Sequence, residues 1–366
     1  MKQFLTIALA AVLGLTAGAQ QTQRLTASKA NEYGLIYTLP VTGVDITVAA
    51  EKTVETPGEF SQYARKYLND TPILAPSVAW RITDVVIVPT SQADPSQEWL
   101  VTLKGGNAPF VMVSDAGFPI SINDDEYQPQ APEVTLPQPV AAEPTILESR
   151  EARQAVTPEM IQSRSSVKKA ELAANKIYEL RNYRNDIISG QADAMPSDGE
   201  AMKVALSQIA RQEEALTAMF LGTRQTSVEV RTYHLDLPEA DGDKMEAVRS
   251  VLARLSATEG LVPAADLSGA PIYVTVTPTH VGEMPLDDKG VAKTFPKGGV
   301  AYRIPGTADI TVTYDGKTVA GKGIDVAQYG VVFGLDPSLF TNKKAPSYLH
   351  FNPMTGAVRE LGTVAQ

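Results

Sequence analysis

The chain has no cysteine. That excludes a disulfide, a thiolate nucleophile, a zinc–thiolate centre and a lipid-modified N-terminal cysteine. Histidine is scarce: His234, His280 and His350 lie far apart, with no His-Glu-x-x-His or other paired-ligand spacing. Single histidines in strand patterns read as structural. Basic charge is not in surplus. Lys and Arg number 32 against 42 Asp and Glu, a net charge of −10, which argues against nucleic acid or an anionic membrane surface as the main partner.

Catalytic signatures are missing too. There is no Gly-x-Ser-x-Gly. Ser166-Val-Lys-Lys169 matches Ser-x-x-Lys, but it sits in a polar helical pattern without a companion Lys-Thr-Gly. Gly316-Lys317-Thr318 lacks the upstream glycine of a P-loop and follows a hairpin turn instead of opening a helix. Asn123-Asp124-Asp125-Glu126 and Asp241-Gly-Asp243 carry oxygen donors, yet neither fits a calcium-loop template, and both read as solvated loops. Trp80 and Trp99 fall in strand patterns, where packing is the default over sugar stacking. No catalytic, cofactor-binding or metal residue is named from the sequence, no cofactor is expected, and the binding residues are unknown at this level.

Long apolar runs are confined to the start. Met1-Lys2-Gln3 is basic, Phe4 to Leu15 is apolar, and Ala17-Gly18-Ala19 is a small-x-small cleavage signal. Residues 1–19 therefore read as a secretory signal peptide. The run falls short of the ~20 apolar residues of a spanning helix, and no later segment reaches that length. The expectation is a periplasmic protein without a transmembrane segment in its mature part.

A composition of 43% hydrophobic and 20% charged residues over 366 positions allows more than one core. The most informative feature is a repeat. Gly34-Leu-Ile-Tyr-Thr-Leu-Pro40 leads into Asp45-Ile-Thr-Val48, and Gly299-Val-Ala-Tyr-Arg-Ile-Pro305 leads into Asp309-Ile-Thr-Val312. Two related β-rich modules are expected, at residues 20–126 and 223–366. In the first, Tyr33 to Val54 reads as strand interrupted at Pro40, and Phe60, Tyr63, Ala64, Tyr67 and Leu68 form one face of a short helix. Trp80 to Val88 and Gln97 to Leu103 read as two strands parted by a turn at Ala93-Asp94-Pro95. In the second module, Val228 to Leu237 alternates as a strand. Lys244 to Leu255 carries Met245, Val248, Val251, Leu252 and Leu255 at helical spacing. Asp315-Gly316 marks a tight hairpin.

Between the modules, Pro129, Pro132, Pro137, Pro139 and Pro144 forbid a regular ladder, so residues 127–156 read as an extended linker. Residues 157–222 read as an antiparallel helical hairpin. Its first helix starts at Thr157-Pro158, continues to Ser189 and stops at Gly190. Its second opens on the capping box Ser197-Asp-Gly-Glu200. The second helix's apolar stripe, Met202, Leu206, Ile209, Leu216, Met219 and Phe220, is broken at Glu213. Arg164, Lys168, Lys169, Lys176, Arg181 and Arg184 alternate with Glu171, Glu179 and Asp186, which reads as a solvated, salt-bridged face. The fold class is α+β: two mostly antiparallel β-rich modules with an intervening helical hairpin.

The two Gly-x-x-Tyr-x-[Leu/Ile]-Pro stretches, Tyr63-Ala-Arg-Lys-Tyr-Leu68, Glu213-Glu214 with Phe220-Leu-Gly222, and Ala327-Gln-Tyr-Gly330 together resemble a family of exported proteins of Bacteroides-type bacteria. That family is catalogued only as a domain of unknown function. The resemblance spans nearly the whole mature chain and implies a periplasmic or outer-envelope place, with no activity attached. The expectation is a non-catalytic scaffolding or protein-interaction component whose partners are other envelope proteins. Two alternatives remain: a glycan or small-ligand binding module, and a hydrolase with carboxylates drawn from distant strands.

Overall fold

A computed structural model describes residues 33–103, 111–130, 133–193, 199–239, 246–340 and 347–363. The segment read as a signal peptide, Ser197 and Asp198 of the capping box, and Asp241-Gly-Asp243 lie outside the described residues. The strands are β1 (Tyr33–Thr56), β2 (Ser77–Leu103), β3 (Val111–Val113), β4 (Pro119–Ile122), β5 (Thr223–Asp236) and β6 (Val248–Ser256). They continue with β7 (Gly260–Val262), β8 (Gly269–His280), β9 (Val300–Tyr314), β10 (Lys317–Leu335), β11 (Ser347–Phe351) and β12 (Val358–Thr363). The α-helices are α1 (Ala64–Tyr67), α2 (Arg150–Ala155), α3 (Pro158–Gln162), α4 (Ser166–Ser189) and α5 (Gly199–Leu221).

Three antiparallel sheets form, in the orders β2-β1-β5, β10-β9-β8-β6-β7 and β12-β11-β4-β3. With the helices they make an α+β protein. The first and third sheets each draw strands from both ends of the chain. β5 pairs with β1 from Gly43↔Asp236 to Thr56↔Thr223, and β11 pairs with β4 at Leu349↔Ile122. The described parts of the segments 20–126 and 223–366 thus interleave in space.

The repeated stretch explains this layout. In each copy one long strand serves two cores, one on either side of its proline. Before Pro40, Tyr37 and Leu39 of β1 are buried with Val300, Ala301, Ile122, Leu349 and Phe351 against the small sheet. After Pro40, Val44, Ile46, Val48 and Ala50 face Ala253, Leu255, Ile272, Val274, Ile310 and Val312 between the two larger sheets. The buried set switches from odd to even positions across Pro40, and only an irregularity in the ladder permits that in a period of two. The irregularity is visible: Thr38 pairs with Glu98 and Pro40 with Ala93, so residues 94–97 loop out opposite Leu39. The second copy repeats the device. Ile304 pairs with Val331 and Gly306 with Val326, so residues 327–330 loop out opposite Pro305. Each aliphatic side chain buried in these cores contributes about 1.5–3 kcal/mol.

Several local expectations change. β2 is one continuous strand, and the turn expected at Ala93-Asp94-Pro95 is the start of its loop-out. Pro89 is tolerated within it because β2 is an edge strand, whose outer N–H groups pair with nothing in the sheet. The helix expected from Lys244 to Leu255 is instead strand β6 from Val248 onward. Val248 to Ser256 pairs with β8 throughout, with an irregularity between Val251 and Ala253. The helical spacing was outweighed by pairing with a neighbouring strand and by β-branched valines. The long helix expected from Pro158 to Ser189 is broken: Ser163 and Ser165 take extended conformations, and the Ser165 side chain caps Lys168 N. Serine competes for backbone groups in this way. Two apolar residues of α4, Val167 and Ile188, are exposed. Other features follow the pattern. Gly190 ends α4 in the left-handed region, and Asp315 and Gly316 both have positive φ in the β9–β10 turn. Ala170, Ala174, Ile177, Leu180, Ile187, Ile209, Leu216 and Phe220 form the core of the helical layer with Phe60 and Ala64.

Among the described residues no helix is long and apolar enough to cross a membrane.

Candidate functional site

Four polar assemblies hold the described chemistry. The first is where the two repeat copies meet. Arg303 is almost fully buried, and its Nη2 donates to Asp94 Oδ2 at 2.5 Å while Nη1 donates to the Ala327 carbonyl. Burial lowers the Arg303 pKa, opposed by Asp94 and Glu239. Thr42, also buried, receives the other copy: Thr42 N donates to Gln328 Oε1 at 2.9 Å and Gln328 Nε2 to Thr42 O at 2.8 Å. Ala327 N donates to Thr42 Oγ1 at 3.0 Å. Tyr37 Oη donates to the Ala301 carbonyl, and its burial pushes the phenol well above its ordinary value. Each loop-out therefore bonds to the strand of the other copy. This is a joint built to hold, in which both terminal nitrogens of Arg303 are engaged and its Nε is buried without a hydrogen-bond partner.

The second assembly surrounds His234 on β5. Its Nδ1 lies 2.6 Å from Asp45 Oδ1 and its Nε2 3.1 Å from Asp236 Oδ1. The Asp45 contact raises the His234 pKa, aided by Asp236 and opposed by partial burial. Gly43 leaves room for the ring, since a Cβ there would meet His234 Cε1. The third surrounds His350 on β11. Its Nε2 meets Asp124 Oδ2 at 2.7 Å and Tyr127 stacks on its ring at 3.7 Å. Its Nδ1 lies 3.4 Å from Glu360 Oε2 without a hydrogen bond. The His350 bond is the main reason the Asp124 pKa is lowered. Asp124 Oδ1 also accepts from Glu126 N and Tyr127 N, while Asn123 Nδ2 donates to the Ser347 carbonyl at 2.7 Å. The acidic loop is therefore a fastening for β11. Among the described residues no three His, Asp or Glu side chains are grouped to hold a metal ion. His280 stands apart, opposite Thr307 at the end of β8.

The fourth assembly is a cleft of about 730 Å³ between the helical hairpin, the linker and the start of β5. Arg181 and Arg184, one turn apart on α4, both grip Glu213 of α5. Arg181 Nε donates to Oε1 at 2.7 Å and Arg184 Nη1 to Oε2 at 2.6 Å. Glu213 is 13% exposed, and the guanidinium side chains 39% and 35%. Thr145, Thr217, Thr223 and Thr226 add hydroxyls, and Ala210, Ala218 and Gly222 keep the floor low. Arg224 is matched by Glu55 at 2.5 Å, while Glu143 and Glu214 sit at the exposed rim.

By sequence pattern Arg181 and Arg184 share the solvated face of their neighbours. Lys168–Glu171 and Lys176–Glu179 do form such surface pairs. Arg181 and Arg184 instead turn across the hairpin. The signal was the lone Glu213 interrupting an apolar stripe: a carboxylate there needs cations from the facing helix. The cleft opens to a volume able to admit another molecule. Ser166 starts α4, with Tyr63 Oη 3.3 Å from its Oγ, and Lys169 faces Glu59; Trp99 stacks on Phe295 at 5.3 Å and Trp80 packs against the central core.

Interleaved antiparallel sheets with a helical layer and a polar cleft at their junction define an α+β protein whose class carries no assigned chemistry. Residues 33–359 match the family described as Domain of unknown function (DUF4831), and the chain belongs to that family. No curated protein and no solved structure matches the chain.

Proposed function

We propose that this chain is a non-catalytic, exported component of the periplasmic cell envelope of a Bacteroides-type bacterium, working through contacts with another envelope protein. The observation that supports this is the cleft. Its central carboxylate is held between two guanidiniums, and Arg224 is held by Glu55. Such groups suit recognition by charge and shape better than proton transfer, for which an acid or base must be free to meet substrate. A photo-crosslinking residue placed at Thr217, in the cleft, tests it in the native envelope. One dominant protein adduct is expected, absent when the crosslinker is moved to the exposed Leu267, which does not line the cleft. Equal or no labelling at the two positions overturns the reading. Fractionation to the periplasm with an N-terminus at Gln20 tests its export.

A second reading, a site for a glycan or small ligand, is favoured by the four threonine hydroxyls beside the guanidinium pair. A ligand present at about 100 times its dissociation constant adds about 2.7 kcal/mol to stability, so a thermal-shift screen over envelope glycans separates the two.

A further inference from the structure

We infer that the cleft takes an extended peptide segment, added as a strand to the outer edge of β5, with a carboxylate of that segment on Arg181 and Arg184. This rests on the protein-interaction reading above and names the chemistry of the partner.

The edge is defined by hydrogen-bond phase. Val228 N donates to the Val140 carbonyl at 2.8 Å, and Val140 N donates to the Val228 carbonyl at 3.0 Å. Val228 therefore points both peptide groups away from β1. In an antiparallel ladder this direction alternates with each residue, and the β1–β5 register is uninterrupted from Thr223 to Asp236. Arg224 and Thr226 then also aim their N–H and C=O groups outward. Both residues line the cleft, and among the described residues nothing bonds these outward groups.

The linker is the neighbour that ought to cover them. Continued antiparallel from the Val140–Val228 bridge, its ladder would bring Pro144 opposite Arg224. Proline has no N–H to give, and the linker leaves the edge after one bridge. Only Glu143 O turns back, accepting from the Gln225 side chain at 2.7 Å. A stretch of edge is left open beside a chain that cannot close it. Exposed sheet edges are the usual entry for a peptide strand.

Charge selects the kind of segment. Arg181 and Arg184 meet one carboxylate with two cations, leaving one positive charge over at the inner end of the cleft. Glu143 and Glu214 make the rim acidic. The matching segment puts a carboxylate inward and neutral or basic residues at the mouth. That carboxylate is either a chain terminus or an Asp or Glu side chain.

The test uses a displayed library of random linear peptides against the full chain, followed by synthesis of the best binder. Three changes are made to that peptide: amidation of its C-terminus, replacement of its acids by amides, and N-methylation of alternate backbone amides. N-methylation in one of the two phases is expected to weaken binding about tenfold or more, and the other phase to leave it unchanged. Either amidation or acid replacement, whichever removes the inward carboxylate, is expected to do the same. On the protein side, Thr226→Pro removes an outward N–H that the fold does not use, with a similar loss. Arg181→Gln should weaken binding as well, and melting curves of both variants exclude unfolding. If no peptide is enriched, or both N-methyl phases bind as before, or neither loss of carboxylate matters, strand addition is overturned. A Thr217 adduct in the envelope without peptide binding would leave the interaction reading standing and remove this one alone.

Discussion

The two copies of the repeat share a backbone device and fill it differently. In both, a strand crosses a proline while its partner loops out by four residues. In the first copy Pro95 and Ser96 of the loop-out face solvent, and only the Asp94 carboxylate reaches inward. In the second, Ala327 and Tyr329 are buried, and Gln328 threads hydrogen bonds into the first copy and to the Leu237 carbonyl. The same irregularity thus serves as an outer brace in one place and as core in the other. The duplicated element is the change of face along the strand, and the residues of the loop-out decide what it touches.

Breaking the charged contact between copies should have the largest effect. Asp94→Asn retains a short polar side chain at the head of its turn but leaves Arg303 buried without its counter-ion. A loss of about 3–5 kcal/mol is expected from urea unfolding, and Arg303→Met in the same background should recover part of it. A smaller effect separates the copies at one aligned position, Gly306 against Val41. A Cβ at Gly306 would press on the His280 and Tyr329 carbonyls. Gly306→Val should cost about 3 kcal/mol, whereas Val41→Gly should cost about 1 kcal/mol through chain entropy. Smaller again, Gln328→Ala leaves the Thr42 N–H without its acceptor and should cost about 1–2 kcal/mol. A glutamine-to-alanine change in the first loop-out, Gln97→Ala, loses one bond to Trp99 and should stay within about 0.5 kcal/mol.

The smallest effect distinguishes the two Asp-Ile-Thr-Val segments by pH. Asp45 of the first meets His234, while Asp309 of the second faces Thr277 and Gly323 across the sheet. Because the folded state raises the His234 pKa, the protonated ring adds stability in full below the unfolded value of about 6.5. That contribution fades as pH rises through the higher folded value. Urea midpoints followed from about pH 6 to pH 8 should therefore fall on that account, and His234→Gln should flatten that part of the slope. His234 is 40% exposed, so the change is modest.

What could be read beforehand was local. The repeat, the Asp315-Gly316 turn and the helical hairpin rest on near neighbours in the chain, whereas the stretch read as an extended linker to residue 156 holds the helix Arg150–Ala155. The changes came where distant partners decided the outcome. Val248 to Ser256 has helical spacing, but β8 takes it as a strand. Nothing near Ala93-Asp94-Pro95 announces that the turn is a loop-out opposite Leu39, because the reason lies in two cores on opposite faces of β1. The cleft was hidden for the same cause. Arg181 and Arg184 look like their lysine neighbours until Glu213 arrives on the facing helix, and the open edge of β5 exists only once Val140 has bridged to Val228.

The central place of β1 has a consequence for the order of assembly. Its sheet is completed by a strand that follows the linker and both long helices, and its two buried faces await residues near the end of the chain. Contacts at such separations make folding slow. During that interval Val44, Ile46 and Val48 stand uncovered on a strand prone to stick, so this protein's yield should depend on how well it is shielded between synthesis and closure.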